Sequence, residues 1–598
     1  MNTPRLVDLL PQSPSWRGLP LSALDSALAH GLNSLQASDD SRHLWLAALT
    51  HHQWSRGHAC LELQGLSQDA ATLLGWSDED THRLPKDLAP AAATLPWTQG
   101  AGSPLVQQSD RLYLRRAFEA EQRIRAALMS RTQAQTLPEA PWADWLDELF
   151  AGLGRDETAI AQQQDQRQAC LAGLRHGITL VSGGPGTGKT TTVARMLALL
   201  QRTHMALLGH PSPLRVLLAA PTGKASARLA ESMRQAVIKL PENWRSGLPD
   251  QAATLHRLLI DQPDTWQVDV LVIDEVSMVD LELMARVLSV LPPNARVILL
   301  GDPDQLASVQ AGAVLAQLCE APWLEGQRVQ LSHSHRFQSD RGIGQWARLV
   351  QQGTLAERTQ AWLALPSGWA DTDGLVTHLP EVTPFSPAGR ALLKRAFSPW
   401  WDQVLQAIGD GQQAVNDERA RQLLDAYTQV GVLCALREGP WGVEVLNQQI
   451  ALALHLGTSQ WCAGRPVMVT RNNPGLGLNN GDIGLCLPHQ LSNNQVALRV
   501  AFAHEKGVRW ISPARLDEVE PVFAMTVHKS QGSEFGHVLL VLPPHPSPVL
   551  TRELIYTGLT RAKNRLTWWA PKPQVLLAAC DVRVARSGGL ADIHPSAP

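Results

Sequence analysis

The chain has 598 residues, 44% of them hydrophobic, which excludes a disordered polypeptide and leaves room for about four domains. A formal net charge of -3 and a pI near 6.7 exclude a protein coated in basic surface, so nucleic acid would have to be held in a local groove. Seven scattered cysteines with no CxxC pair argue against a zinc ribbon or disulfide framework, and the lack of a signal pattern or long apolar run predicts a soluble, cytoplasmic protein with no membrane partner.

Residues 1–150 carry no catalytic signature. LSALDSALAHGL and SRHLWLAAL have helical apolar spacing, and RLYLRRAF from Arg111 reads as a short strand entering a helix. PWADWLDELFAGL puts Trp142, Trp145, Leu149 and Leu153 on one helix face. His51, His52, His58 and Cys60 cluster, but irregularly and without a second ligand pair, so no metal is expected there. The region reads as a mainly helical, partner-docking domain.

Between 151 and 355 the runs ITLVSG, RVLLAAP, VLVIDE and RVILLGD each end in a polar loop. That is the pattern of a buried parallel sheet with its chemistry at the carboxyl ends of the strands. Pro380, Pro384, Pro387 and Pro399 are expected to break the stretch that follows. A second α/β lobe, 356–462 and 519–585, takes up VGVLCAL, PVFAMT and HVLLVLP. Inserted in it, 463–518 reads as short strands of a small SH3- or OB-like β-barrel, with Asn480-Gly481 as a hairpin turn. Residues 586–598 read as a flexible tail.

GGPGTGKTT comprises Gly183, Gly184, Pro185, Gly186, Thr187, Gly188, Lys189, Thr190 and Thr191. It follows a strand and opens a helix, the context in which backbone N–H groups wrap ATP phosphates. Lys189 would contact the β and γ phosphates and Thr190 would bind Mg²⁺. Asp274 and Glu275 end VDVLVI, the first suited to the metal and the second to deprotonating the attacking water. Gln305 in GDPDQL can reach the γ phosphate or that water, and Gln166 has the amide edge that pairs with adenine. Arg336 and Arg561 are the candidates to offset transition-state charge from across a cleft, a device that accelerates hydrolysis by roughly 10³ to 10⁵.

In order, QRQA, GGPGTGKT, APTGKAS, TLHRLL, VIDEVSM, GDPDQLASV, SHRF, TVHKSQGSEF and YTGLTRAK resemble the motifs of superfamily 1 helicases. CALREGPWGVEVLN, NNGDIG and the N-terminal SRGHACLEL and PLVQQSDRLYLRR are most similar to the RecD branch, the α subunits of exodeoxyribonuclease V. The resemblance implies two RecA-like P-loop NTPase lobes and 5′ to 3′ movement on single-stranded DNA. It also implies RecB-like and RecC-like partners at duplex DNA ends, with the nuclease centre in the RecB-like chain. It carries strand contacts to Thr222, Lys224, Thr254, His256, Thr526 and His528, and nucleotide contacts to Gly532 and Glu534, Glu534 at the ribose. Where the family usually has Tyr-Arg this chain has His335-Arg336, so an imidazole would stack on the adenine. Asn447 is family-like without an assigned role.

Overall fold

The computed structural model describes residues 16–133, 141–151, 157–207, 209, 212–262, 264–333, 342–409, 413–457, 459–504 and 507–592. The N-terminal region opens with α1 (Ala23–Leu35), whose start is fixed by a reciprocal capping box between Ser22 and Asp25, and α2 (Ser41–Ser55). Its strands β1 (Cys60–Glu62), β2 (Leu105–Gln108) and β3 (Arg111–Leu114) pair antiparallel in the order β1-β3-β2. β3 runs directly into α3 (Arg115–Met129), as its sequence predicts. His51 and His52 both hydrogen-bond or pair with the fully buried Asp25, tying α2 to α1.

The first lobe contains α4 (Glu157–Arg175) and six parallel strands: β4 (Ile178–Gly183), β5 (Val216–Ala220), β6 (Ala252–Thr254), β7 (Val270–Ile273), β8 (Arg296–Gly301) and β9 (Arg328–Leu331). Their order is β6-β5-β7-β8-β4-β9. The central strands are continuous apolar runs because helices cover both faces. Three helices follow strand ends: α5 (Lys189–Arg202), α6 (Gly223–Ile238) and α7 (Leu255–Asp261). The helix Trp142–Leu149 belongs to this lobe and not to the N-terminal region as expected. Trp145 packs edge-on against Trp244 at 6.1 Å, and Arg202 lies over both rings at 4.7 and 4.3 Å. Leu153, predicted to extend its face, lies outside the described residues.

The second lobe begins with β10 (Val376–His378), α8 (Pro387–Ile408), β11 (Val430–Cys434) and α9 (Val443–Ala453). The expected proline break does not occur at α8. Pro387 occupies its first turn after the Ser386 cap, where no N–H is needed. Pro399 is exposed, so the carbonyl it frees meets water, while Leu393, Phe397, Trp400 and Val404 hold the opposite face in the core.

The insert forms β12 (Pro466–Val469), β13 (Ile483–Gln490), β14 (Val496–His504), β15 (Gly507–Ile511) and β16 (Val519–Pro521). They pair antiparallel as β15-β14-β13-β12-β16. Neither end strand pairs with the other, so the expected barrel is an open sheet that runs past residue 518. The pleat explains this: Cys486 points into the insert's own small core, while its neighbours Leu485 and Leu487 join the second lobe's core, where the helix Asp417–Tyr427 packs on β13. Asn480-Gly481 is not a two-residue hairpin either; it ends a longer loop, where the left-handed Gly481 donates its N–H to Val469 O at 2.8 Å. The lobe resumes with β17 (Ala524–Thr526), β18 (Phe535–Val541), α10 (Arg552–Leu559) and β19 (Ala562–Trp569). Its parallel sheet runs β10-β19-β18-β11-β17.

The tail is a further correction as far as residue 592; residues 593–598 lie outside the described residues. Residues 586–592 leave the second lobe and lie between the first lobe and the N-terminal region. Arg586 donates to Gly57 O (2.9 Å), Gln310 O (3.0 Å) and Ser308 O (3.0 Å). Gly589 N–H donates to both oxygens of buried Glu121, and Leu590 is 1% exposed. Gly588 and Gly589 lie so close to Gln317 and Tyr113 that a Cβ would collide, so SGGL marks close backbone approach and not looseness.

Candidate nucleotide cleft and strand groove

The strand order of the first sheet separates two sets of motifs. β7, β8 and β4 are consecutive, so their carboxyl ends bring Asp274-Glu275, GDPDQL and the glycine loop together. β5 and β6 lie beyond β7; β5 leads to Thr222 and β6 ends in Thr254. Nucleotide residues thus occupy the middle of the sheet and strand-contact candidates its edge.

In the glycine loop, Gly186 and Gly188 have φ of +78° and +84°, which only glycine adopts readily. The Lys189 ammonium folds onto its own loop, donating to Gly183 O (2.6 Å) and Gly184 O (3.1 Å). The Thr187 hydroxyl donates to Gly184 O, while Thr190 and Thr191 lie half-buried in the first turn of α5. Glu275 is held at φ +53°, a left-handed conformation strained for a glutamate, and its N–H donates to Asp274 Oδ1 at 2.9 Å. Burial, then the charge of Glu275, pushes the Asp274 carboxyl up to about 6, with Lys189 opposing. Burial likewise raises Asp302 to about 6 against Lys189.

The second lobe closes on this cluster. Arg561, 3% exposed, donates from Nη2 to Gln305 Oε1 at 2.6 Å. Gln305 Nε2 donates to Asp302 Oδ2 (3.0 Å), and the Tyr556 hydroxyl donates to the same oxygen (3.1 Å). Leu306 N–H donates to the Thr557 hydroxyl (2.9 Å) and Gln531 Nε2 to Leu306 O (3.0 Å). Burial pulls the Arg561 guanidinium down, while the nearby charge of Glu275 pulls it back up. Asp302, Tyr556, Thr557 and Gln531 were not singled out from sequence, although all four stand in the quoted GDPDQL, YTGLTRAK and TVHKSQGSEF runs.

Not every expected residue is free in this cleft. Gln166 is buried behind α5, its carbonyl oxygen accepting from Arg195 Nη1 at 3.1 Å. Glu534 is ion-paired with Arg228 and lies 3.7 Å from Lys563. Gly532, at φ +72°, packs against Ala225. His335 and Arg336 lie outside the described residues. The strand leading into them, β9, belongs to the first sheet, so among the described residues only Arg561 is an arginine candidate supplied by the second lobe.

The three threonines expected at the strand are local caps. Thr222 accepts from Ala225 N–H, Thr254 from Arg257 N–H and Thr526 from Lys529 N–H, each at 3.2 Å. Accepting from the backbone leaves each hydroxyl hydrogen available to donate, suited to a phosphate oxygen. Lys224 is half-buried and burial lowers it to about 8, with Asp482 of the insert opposing. His256 is exposed. His528 is held below the ordinary imidazole range by burial, then by the charge of Arg586. Asn447 now has a role: its amide bridges α9 to β17, accepting from Phe523 N–H (2.7 Å) and Ala524 N–H (3.0 Å) and donating to Ala524 O (2.9 Å).

The residues present fit a triphosphate with its cation. Two carboxylates, Asp274 and Asp302, are held near 6 beside a lysine that turns to carbonyls for partners, and Thr190 and Asp274 supply hard oxygen donors.

Residues 161–365 match the AAA domain family model, 521–567 the UvrD-like helicase C-terminal domain, and 19–113 the N-terminal domain of RecBCD enzyme subunit RecD. The chain is 36% identical over 597 residues to RecBCD enzyme subunit RecD of Mycobacterium tuberculosis, covering 95% of this chain and 94% of the relative. It is 33% identical over 550 residues to the same subunit of Haemophilus influenzae, covering 82% and 81%. The ATP-dependent RecD2 DNA helicase of Deinococcus radiodurans is 30% identical over 544 residues, covering 88% of this chain and 62% of that one. Matched along nearly all of its length, the chain belongs to the RecD family of RecBCD enzyme subunits.

Proposed function

We propose that this chain is an ATP-dependent 5′ to 3′ single-stranded DNA translocase and helicase. It acts as the α (RecD) subunit of a RecBCD-type exodeoxyribonuclease V in double-strand-break repair and recombination. RecB-like and RecC-like chains complete a cytoplasmic heterotrimer working on duplex DNA ends, and the N-terminal region is a docking surface for them. Relatives bearing the RecD name support the complex. The observation that carries the motor reading is Arg561 of the second lobe buried on Gln305 of the first, 2.6 Å away across the cleft.

Bound magnesium-ATP would supply a γ-phosphoryl group whose transfer to water releases free energy. The N–H groups from Gly183 to Gly188, Pro185 excepted, would hold the phosphates, with Lys189 exchanging its carbonyl partners for phosphate oxygens. Thr190 and Asp274 would hold the metal, and Glu275 would take a proton from the attacking water. Gln305 orients that water, and Arg561 offsets the charge that develops. Because Gln305 and Arg561 arrive from different lobes, hydrolysis and lobe closure form one event. The groove past Thr222, Thr254, Thr526 and His528 holds a backbone without reading its sequence.

The test is unwinding of 5′-tailed and 3′-tailed duplexes by the reconstituted heterotrimer, with the partners' own motor inactivated. Unwinding from 5′ tails that Glu275→Gln abolishes is expected. Movement only from 3′ tails, or turnover surviving in Glu275→Gln, would overturn the reading.

A further inference from the structure

Helix α6 carries Lys224 and Arg228 one turn apart, and so on the same face. Two segments of the second lobe, the loop before β13 and the loop before β18, meet the first two turns of that helix. At its start, Gly223 lies so close to Asn479, in the loop before β13, that a side-chain carbon there would collide with it. In the first turn Ala225 rests on Gly532, where an added Cβ would stand 3.6 Å away. In the second turn Arg228 forms its ion pair with Glu534, whose other oxygen lies 3.7 Å from Lys563. The Glu534 side chain is 9% exposed and that of Arg228 37%, so the pair is shielded from solvent on its acidic side. Removing the arginine leaves a largely buried carboxylate with one more distant cation. The Arg228 charge also reaches the nucleotide cleft, stabilising ionised Asp274 and opposing the charge of Arg561. The helix that carries it begins at Thr222 and Lys224, on the strand side.

We propose that Arg228 is a positioning residue: through Glu534 it latches the loop before β18 onto α6, and so links the strand groove at the start of that helix to the closure of the two lobes. This extends the motor reading of the same cleft, but the latch itself acts without nucleotide and is measured without it.

The experiment places a donor and an acceptor dye on the two lobes of the full chain and reads transfer efficiency without nucleotide, with and without a thymidine oligonucleotide. Binding of the oligonucleotide is measured in parallel. Arg228→Ala is expected to lower the closed-to-open ratio by about tenfold and weaken oligonucleotide binding, with the melting temperature little changed. Arg228→Lys should recover part of both, since it keeps the charge without the planar fork. Glu534→Gln should reproduce the loss, and the double variant should be no worse than Arg228→Ala alone. Wild-type closure and binding in folded Arg228→Ala, or losses that multiply in the double variant, would overturn the latch. Lys189→Ala reports on the hydrolytic reading separately: turnover surviving there would count against the motor while leaving nucleotide-free closure to decide the latch.

Discussion

The Tyr556 hydroxyl of the second lobe donates to Asp302 of the first at 3.1 Å, and it stands 2.9 Å from where a side-chain carbon on Gly184 would lie. One phenol therefore touches both the strand-end acid and the glycine loop, and the absence of a side chain at Gly184 is what admits it. Gly184→Ala should force the two apart and lower ATP turnover several-fold. Tyr556→Phe alone should cost about 1 kcal/mol through the lost bond to a buried carboxylate. In the double variant the phenyl ring leaves room for the methyl, so turnover should exceed that of Gly184→Ala. Steady-state kinetics of the four proteins checks this, and a double variant slower than both singles would refute the contact.

Arg561 acts across the cleft, so its removal should damage chemistry and leave nucleotide affinity nearly intact. Arg561→Ala is expected to lower the DNA-stimulated rate by about 10³ or more, and Arg561→Lys to recover little, because the ammonium cannot keep the guanidinium's fork. Equilibrium binding of a fluorescent ATP analogue, measured beside turnover, separates the two effects. A matching loss of affinity and rate would mean that Arg561 only helps to hold the nucleotide.

Much of this cleft was legible in the sequence because phosphate chemistry demands fixed residue types at strand ends. Lys189, Glu275 and Gln305 are nominated by type and order, and the strand order of the first sheet explains why they lie together, while Arg561 reaches Gln305 from the second lobe. Contacts that depend on two distant segments were not legible. Nothing near Arg228 in sequence announces Glu534, and nothing around Asn447 announces the strand it spans. The open insert was misread because alternation shows which faces are buried but not whether edge strands meet. The tail was misread for a different reason: Ser-Gly-Gly composition resembles a linker, while its use here is close passage over Tyr113 and Gln317. Pro399 shows the same limit in a helix, where one exposed proline is outweighed by the aromatic face opposite.

The docked tail gives a dependence on pH. Burial pushes the Glu121 carboxyl up to about 7, with the Gly589 N–H and then Arg125 pulling it back. A carboxyl raised in the folded state contributes its stability in full below the ordinary glutamate range and loses it as pH rises through about 7. The melting temperature should therefore fall between about pH 5 and 8, and Glu121→Gln, which cannot ionise, should flatten that slope. A variant with the wild-type slope would assign the dependence to other groups.

Asn447 makes its last case through satisfaction of buried backbone. Its oxygen accepts the Phe523 and Ala524 N–H groups, and its amino group donates to Ala524 O and Val443 O. β17 is an edge strand and ends in Thr526, so this one amide supplies partners that a further strand would otherwise give. Asn447→Ala should destabilise the second lobe by about 2 to 3 kcal/mol, since two donors lose their acceptor at once. Asn447→Asp keeps the acceptor but sets an anion against two carbonyl oxygens, so its loss should grow as pH rises above the carboxylate range. Both should weaken oligonucleotide binding more than ATP binding, because β17 leads to the strand groove and not to the glycine loop. Chemical denaturation at two pH values, beside the two binding titrations, reads each of these effects. Asn447→Asp matching wild type at high pH would show that the amide's donor half contributes nothing.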